Sequence, residues 1–150
     1  MDGVFSFAVF EHVPRAVAQS LIAEAKRILK PGGFWYALIG LHDHFAMFDS
    51  RVSKVHFLRH SEALWTLLTS NSISYHNRLR ERDFLSMLKD EGGSPIDLVH
   101  VLDTIDLDLV RTMRLATRFR AYTPEELAVT RTGIVATFNA SQPFSTSWTS

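Results

Sequence analysis

Two apolar runs enclose one amphipathic segment near the start of the chain. Residues 3–10 and 34–41 are apolar almost without alternation, which is typical of strands covered on both faces in a parallel sheet. The segment between them predicts an amphipathic helix. A strand, a helix and a strand of these lengths predict a right-handed crossover between parallel strands.

The predicted helix has recognisable ends and one apolar face. Pro14 suits a first helical position, and the glycine pair at 32–33 predicts the helix end. We expect one face to carry the apolar side chains that recur at spacings of four, four, three and one, namely Val17, Leu21, Ala25, Ile28 and Leu29.

The rest of the chain predicts two more strands and several shorter helices. Residues 42–60 are too irregular for a helix and too aromatic for a solvated linker, so we predict a packed loop. A capping box with proline at the first helical position begins at Thr123. The other predicted elements are a helix capped by Ser61, a helix over 79–91 with Phe84, Leu85 and Leu88 inward, a strand over 96–104, a helix from Asp108 and a strand over 129–138.

The composition predicts one soluble domain. With 150 residues, 46% of them hydrophobic, the chain can bury a core, and we assign residues 1–140 to one α/β domain and residues 141–150 to a flexible tail. Sixteen basic and sixteen acidic residues cancel, so no net field attracts nucleic acid. The apolar runs are too short to cross a bilayer, and Asp2 stands where a signal peptide would be basic. We predict a cytoplasmic protein with no nucleic-acid or membrane partner.

Two motifs flank the predicted helix. The first strand leads into Phe10-Glu11-His12-Val13, and residues 27–33 read RILKPGG. Together they resemble class I S-adenosylmethionine-dependent methyltransferases, whose fourth strand typically ends in Leu-Glu-His-Val and whose fifth follows Arg-Val-Leu-Lys-Pro-Gly-Gly. The resemblance covers roughly residues 3–140. It implies a partial Rossmann-like sheet, equivalent to the fourth to seventh strands of that family with the last one antiparallel, flanked by helices.

The resemblance also implies that the main cofactor-binding part of the family lies outside this sequence. In the family, a glycine-rich turn after the first strand and an acidic residue after the second hold S-adenosylmethionine. The glycine pairs at 32–33 and 92–93 follow helices here, so they predict helix ends. The resemblance leaves only the backbone of Ser6, Phe7 and Ala8 on the cofactor side, which is insufficient for tight binding alone.

Polar side chains follow two neighbouring strands of the predicted sheet. Glu11 and His12 follow the first strand, and the second is followed by His42, Asp43 and His44. Open parallel sheets place ligands at this end, so both groups should face one crevice. In a functional interpretation, an imidazole acts as general base for a small-molecule methyl acceptor, with the carboxyl groups nearby. In a structural interpretation, all five residues brace the adjacent helix and loop.

The same residues raise the question of a metal ion. His42 and His44, with the carboxylate between them, could meet a divalent ion, and some related methyltransferases use magnesium. Magnesium prefers oxygen ligands, and Ala8 stands where a further upstream glutamate would be needed. We therefore predict no metal site. The chain has no cysteine, which excludes disulfides and thiolate sites.

Two groups of arginines have both a solvated and a functional interpretation. The first group is Arg78, Arg80 and Arg82, and acidic residues lie among and beside them. This pattern predicts a solvated, salt-bridged helix face. A second group shares one predicted helix face at i, i+3 and i+7 and could receive an anionic substrate or partner: Arg111, Arg114 and Arg118.

Two functions from different classes fit this sequence. The first is a methyltransferase-like half-domain that has no catalytic activity on its own and forms a homodimer through residues 4–10. That strand would be a bare apolar edge without the missing first strand, and a symmetric partner would cover it. The alternative is a small-molecule methyltransferase whose cofactor-binding half comes from another chain or is missing from the sequence given.

Overall fold

A four-stranded sheet forms the centre of the computed structural model, which describes residues 1–69 and 75–138. The predicted tail over 141–150 lies outside the described residues. The strands lie side by side in the order β1-β2-β4-β3, where the bounds are Gly3–Phe7 for β1, Phe34–Gly40 for β2, Ser94–Leu102 for β3 and Val129–Thr137 for β4.

The strand directions confirm the predicted fold class. β1 and β2 are parallel, with Phe5 opposite Tyr36, as expected for two strands joined by a crossover. β4 is antiparallel to both β2 and β3. The fold is therefore α/β, with a partial Rossmann-like sheet in which the last strand of the chain runs against the others.

The first strand is shorter than the sequence predicts. β1 ends at Phe7 instead of residue 10, and Ala8 has a positive φ of 52°. A short 3-10 turn, Phe10–His12, then carries the chain away from the sheet. The Phe10 side chain turns inward and meets the Trp35 ring edge-on at 5.5 Å, so the last apolar residue of the predicted strand belongs to the core.

The helix after β1 begins where the sequence predicts, but it ends before the glycine pair and its inward face differs in part from the prediction. α1 spans Arg15–Ile28 and buries Ala18, Ile22 and Ala25. Val17 and Leu21, which were expected on the inward face, are 43% and 38% exposed. Ala25 was expected inward and is buried, so the predicted face is right at that position and displaced by one residue nearer the start of the helix.

The remaining helices are short. α2 spans Glu62–Leu68, and α3 spans Glu81–Asp90 with Phe84, Met87 and Leu88 buried. The helix predicted from Asp108 begins at Thr104 and ends at Thr112, so α4 is Thr104–Thr112. Its cap is Asp103, whose side chain accepts from the Ile105 N–H at 2.9 Å. α5 spans Pro124–Ala128.

The capping box predicted at Thr123 is present and gives a first testable prediction. The Glu126 N–H donates to the Thr123 hydroxyl at 3.2 Å, and the Glu126 carboxylate accepts from the Thr123 N–H at 2.8 Å. Thr123→Ala should lower the free energy of unfolding by about 1 kcal/mol in a urea titration, because one helical N–H loses its partner. Thr104→Ala, at the first position of α4, is the matched control. Equal losses in both variants would contradict the role of this cap.

Two groups of buried side chains form the core. One lies between the sheet and the helices α1 and α3 and includes Trp35, Ala37, Ile39, Phe84, Leu88 and Ile134. The other lies under the loop after β2 and includes Val55, Phe57, Trp65, Val110, Phe119 and Leu127. The packed loop predicted from the sequence therefore contributes to a second hydrophobic core. It contains short 3-10 turns at His44–Met47 and His56–Arg59.

The face of the sheet opposite α1 and α3 is partly open. Phe5, Phe7 and Val99 are 59%, 61% and 64% exposed. Tyr36 and Leu38 help to line a shallow cavity of about 230 Å³ there. Within the described ranges 1–69 and 75–138, the helices are all too short or too polar to cross a membrane.

Candidate functional site

Four imidazoles lie together beyond the ends of β1 and β2, and we call His12, His42, His44 and His76 the histidine cluster. The ring centroid of His44 is 5.0 Å from that of His12 and 5.2 Å from that of His42. It is 4.3 Å from the centroid of His76. The residues that follow the two strands therefore meet, as the parallel pairing of β1 and β2 requires.

Glu11 lies beneath this cluster and is 3% exposed. Its Oε1 accepts from the Gly40 N–H at 3.1 Å, while its Oε2 is buried and has no partner among the described residues. A Cβ at residue 40 would lie 2.9 Å from Glu11 Oε1, so a glycine is needed at this close approach. The end of β2 is thus shaped to accept the Glu11 carboxyl group.

Backbone carbonyl groups orient two of the four rings. His12 Nδ1 lies 3.1 Å from the Tyr75 carbonyl oxygen, and His42 Nδ1 lies 3.3 Å from the Thr130 carbonyl oxygen. A carbonyl oxygen only accepts, so each of these rings carries its proton on Nδ1. Nε2 of both rings is left as the basic nitrogen.

The sequence interpretation missed His76. Its side chain is 3% exposed, and neither ring nitrogen has a partner among the described residues. Burial, followed by the neighbouring His44 and His12, lowers the pKa of His76 to about 2. Burial, with His42 and His12, lowers the pKa of His44 to about 4. Both imidazoles are therefore neutral at pH 7. His76 lies between α2 and α3, outside any periodic segment, so only the tertiary fold reveals its place.

The Asp43 carboxylate bonds to the backbone of the loop after β2. It is 1% exposed, and its Oδ1 accepts from the Phe45 N–H at 2.9 Å, which caps the 3-10 turn at His44–Met47. Its other oxygen is 4.0 Å from His56 Nδ1. Burial raises the pKa of this carboxyl group. Asp43 thus bonds loop backbone, as the structural interpretation of the sequence has it.

The three residues expected on the cofactor side lie at the exposed end of β1. Ser6 is half-buried, Phe7 is 61% exposed and Ala8 is exposed. The Ala8 N–H already donates to the Leu38 carbonyl at 2.9 Å. The Ala8 N–H is therefore engaged within the sheet.

The expected solvated arginine face is wrong for Arg78 and Arg80. Both are buried, because residues 75–80 run without helix before α3 and pass through the interior. The Arg78 guanidinium donates to the carbonyl oxygens of Phe57 and His60 at 3.1 and 2.5 Å, and it pairs with Glu62 at 2.5 Å. Arg78 thus joins the loop after β2 to the start of α2.

Arg80 is the most deeply buried charge of this segment and is 0% exposed. Its guanidinium donates to the Leu41 carbonyl at 2.6 Å, to the Leu127 carbonyl at 3.0 Å and to the Val129 carbonyl. Burial lowers its pKa to about 10, which still leaves it charged at pH 7. It therefore ties the end of β2 to the start of β4.

A second group of arginines lines a surface cleft of about 570 Å³. The predicted helix face of Arg111, Arg114 and Arg118 is wrong, because α4 ends at Thr112. In the cleft, Arg118 is 3.1 Å from Glu62, so part of its charge is balanced. The other arginines of the cleft are Arg59, Arg114 and Arg120.

Comparison with known proteins identifies the type of fold. Residues 1–37 match the family model of a methyltransferase domain. This part of the chain is therefore methyltransferase-like. The match spans the 3-10 turn with Glu11 and His12, the whole of α1 and the start of β2. No curated protein matches the chain.

The solved methyltransferase structures that match this chain are longer than it is. Geranyl diphosphate C-methyltransferase from Streptomyces coelicolor, solved with Mg²⁺, geranyl diphosphate and S-adenosyl-L-homocysteine, is 18% identical, with a TM-score of 0.49 over 91% of this chain and 45% of that one. A geranyl diphosphate methyltransferase solved with S-adenosylmethionine is 16% identical, with a TM-score of 0.48 over 91% and 50%. The chain spans about half the length of these proteins.

Proposed function

We propose that this methyltransferase-like chain acts by association, and that two copies pair through β1 while a single chain transfers no methyl group by itself. The observation that carries the proposal is the state of β1. It stands at the edge of the sheet next to β2, and it presents Phe5 and Phe7, 59% and 61% exposed, beside that edge. An apolar edge of this kind is a template for pairing with another chain.

The backbone of β1 has its free groups on the outer side. The Phe34 N–H donates to the Asp2 carbonyl and the Ala8 N–H donates to the Leu38 carbonyl, so the even-numbered residues of this stretch bond to β2. In a parallel pair, the residues between them direct their N–H and C=O groups the other way. Gly3, Phe5 and Phe7 therefore offer donors and acceptors to a neighbouring strand.

These outward groups suit antiparallel pairing about a two-fold axis at Phe5. Such an axis places Phe5 opposite its own copy and Gly3 opposite Phe7, so each outward donor meets an outward acceptor. The same operation brings the exposed phenylalanines of both copies onto one face of a continuous sheet. A two-fold interface is self-complementary, which makes a homodimer the natural product of this edge.

The proposal gives S-adenosylmethionine no tight site on a single chain. Of the residues assigned to the cofactor side, Phe7 and Ala8 are exposed, and the Ala8 N–H is already used within the sheet. A nucleoside bound there would bury little surface. Pairing through β1 would also cover this end of the strand in the dimer.

The oligomeric state tests the association. Light scattering on the purified chain should give the mass of a dimer at micromolar concentration. The double variant Phe5→Lys, Phe7→Lys should be a folded monomer, because it places like charges across the two-fold axis. Phe48→Lys is the matched control, because Phe48 is 86% exposed and lies in the loop after β2. A monomeric parent chain, or a control that dissociates as the double variant does, refutes pairing through β1.

Cofactor binding tests the other half of the proposal separately. Isothermal titration of the chain with S-adenosylmethionine should give no saturable heat at ligand concentrations up to about 1 mM, which corresponds to a binding free energy weaker than about −4 kcal/mol. Saturable binding near 10 µM would show that a single chain holds the cofactor and would overturn the non-catalytic function. The dimer result would be unaffected.

A further inference from the structure

The histidine cluster and Glu11 bring metal-binding atoms together where the fold alone gives them no use. One ligand atom each from Glu11, His12 and His44 lies within 4.8 Å of the other two. These residues come from the turn after β1 and from the loop after β2. No hydrophobic or capping role described above requires two imidazoles beside a buried carboxyl group.

We propose that Glu11, His12 and His44 bind a divalent transition-metal ion of the zinc class at the carboxyl ends of β1 and β2. Donor atoms around tetrahedral zinc lie about 3.3 Å apart, given zinc–ligand bonds of about 2.0–2.1 Å. The ligand atoms therefore need to close by at most about 1.5 Å on binding. His12 is exposed and can make this movement without disturbing the core.

The donor set selects the type of ion. Two neutral imidazoles and one carboxyl group are ligands that zinc, cobalt and nickel accept readily, and such a set leaves a fourth position open. Magnesium and calcium take oxygen ligands almost exclusively, so they fit this set poorly. The site is thus assigned to a late first-row ion.

Existing hydrogen bonds leave one ligand atom available on each of two of the three residues. His12 Nδ1 lies 3.1 Å from the Tyr75 carbonyl oxygen, so Nε2 is the nitrogen available to an ion. The Gly40 N–H donates to Glu11 Oε1, which leaves Oε2 available. Metal-ligating histidines commonly donate their other N–H to a carbonyl group in this way.

Buried polar atoms without partners give an independent reason to expect a ligand here. Glu11 is 3% exposed, and its Oε2 is both buried and unpartnered among the described residues. Beside His44, the ring of His76 is equally buried, and neither of its nitrogens has a partner there. Buried polar groups are nearly always hydrogen-bonded or coordinated, so these atoms call for an occupant.

The sequence-based prediction of no metal site considered a different set of residues. That prediction considered His42, His44 and the carboxylate between them as ligands, and magnesium as the ion. The structure turns Asp43 away into the loop, and it brings His44 beside Glu11 and His12 instead. The proposal therefore replaces that prediction with another group of donors and another class of ion.

Zinc titration of the metal-stripped chain is the direct test. After dialysis against a chelator, isothermal titration with ZnCl₂ should show one ion per chain. Titration with Co²⁺ should produce the intense visible bands of a tetrahedral site. His12→Ala and His44→Ala should each weaken zinc binding at least about 100-fold, since ligands contribute more than the outer partners whose loss costs 10–100-fold. Mg²⁺ in millimolar excess should not compete.

Two control histidines make the result decisive. His100→Ala removes an imidazole on β3 that lies 3.6 Å from Glu81, and it should leave zinc affinity unchanged. His60→Ala tests a rival pair, because the rings of His56 and His60 are 4.9 Å apart. If His60→Ala abolishes binding and His12→Ala does not, or if the parent chain takes up no zinc, the proposal fails. Since His12 is exposed, circular dichroism should show its variant folded, and the test does not depend on the dimer.

Discussion

Replacing Arg80 by alanine is expected to lower the free energy of unfolding by about 3–5 kcal/mol, the range for removing one partner of a buried charged network. The guanidinium is 0% exposed and donates to the carbonyl oxygens of Leu41, Leu127 and Val129. The variant would leave these acceptors buried without donors and would open a cavity against the Phe57 ring, over which Arg80 lies at 5.6 Å. A urea titration followed by circular dichroism measures the loss.

Two further variants separate the geometry of this contact from its charge. Arg80→Lys keeps the positive charge but not the planar fork that reaches several carbonyl groups, so it should lose about 2 kcal/mol. Arg120→Ala, at an exposed position of the surface cleft, should change stability by less than about 0.5 kcal/mol. If Arg80→Ala unfolds at the same urea concentration as Arg120→Ala, the buried contacts described here do not exist in solution.

Replacing Phe84 by alanine should have an effect of similar size for a different reason. Phe84 is 0% exposed on α3, and its ring meets that of Phe10 at 6.0 Å with an interplanar angle of 90°. Loss of the ring removes apolar burial and leaves a cavity between α3 and the sheet, which costs about 3–5 kcal/mol. Thermal and urea unfolding of the variant against the parent chain measure the difference.

The adjacent Leu85 supplies the control for Phe84. The sequence places both side chains on the inward face of α3, but in the structure Leu85 is only half-buried. Leu85→Ala should therefore cost about 1 kcal/mol, the value of the smaller apolar area that it removes from water. Losses of equal size in the two variants would mean that α3 is rotated relative to the sheet.

The parts of the fold that depend on neighbouring residues could be predicted from the sequence. Uninterrupted apolar runs and the intervening helix specify the parallel pair β1 and β2, because a crossover needs little beyond these lengths. Helix ends were predictable at Thr123 and Gly92, where a capping box and a glycine at φ 73° provide local signals. Such features require no knowledge of distant contacts.

The wrong predictions concern residues whose environment comes from far along the chain. Arg80 resembles a surface residue because its acceptors, such as Leu41 and Val129, lie far away in sequence. The inward face of α1 was predicted only in part, because Leu21 and Ile22 are similarly apolar and only the packing against the sheet buries Ile22.

The candidate site was predicted only in part, because the environment of some of its residues also comes from distant parts of the chain. The placement of Glu11 and His12 beside His44 follows from two adjacent strand ends, which the sequence reveals. His76 enters the cluster from the segment before α3, and its spacing in the chain carries no periodic signal. The direction in which Asp43 points also depends on the turn that it caps, which the sequence interpretation treated as irregular loop.

The position of β4 in the sheet has a consequence for synthesis on the ribosome. β4 lies between β2 and β3, although it is the last of the described strands to be made. β3 has no hydrogen-bonded neighbour until Val129–Thr137 has left the exit tunnel. The native sheet can therefore be completed only after the last of the described strands is available to pair with both β2 and β3.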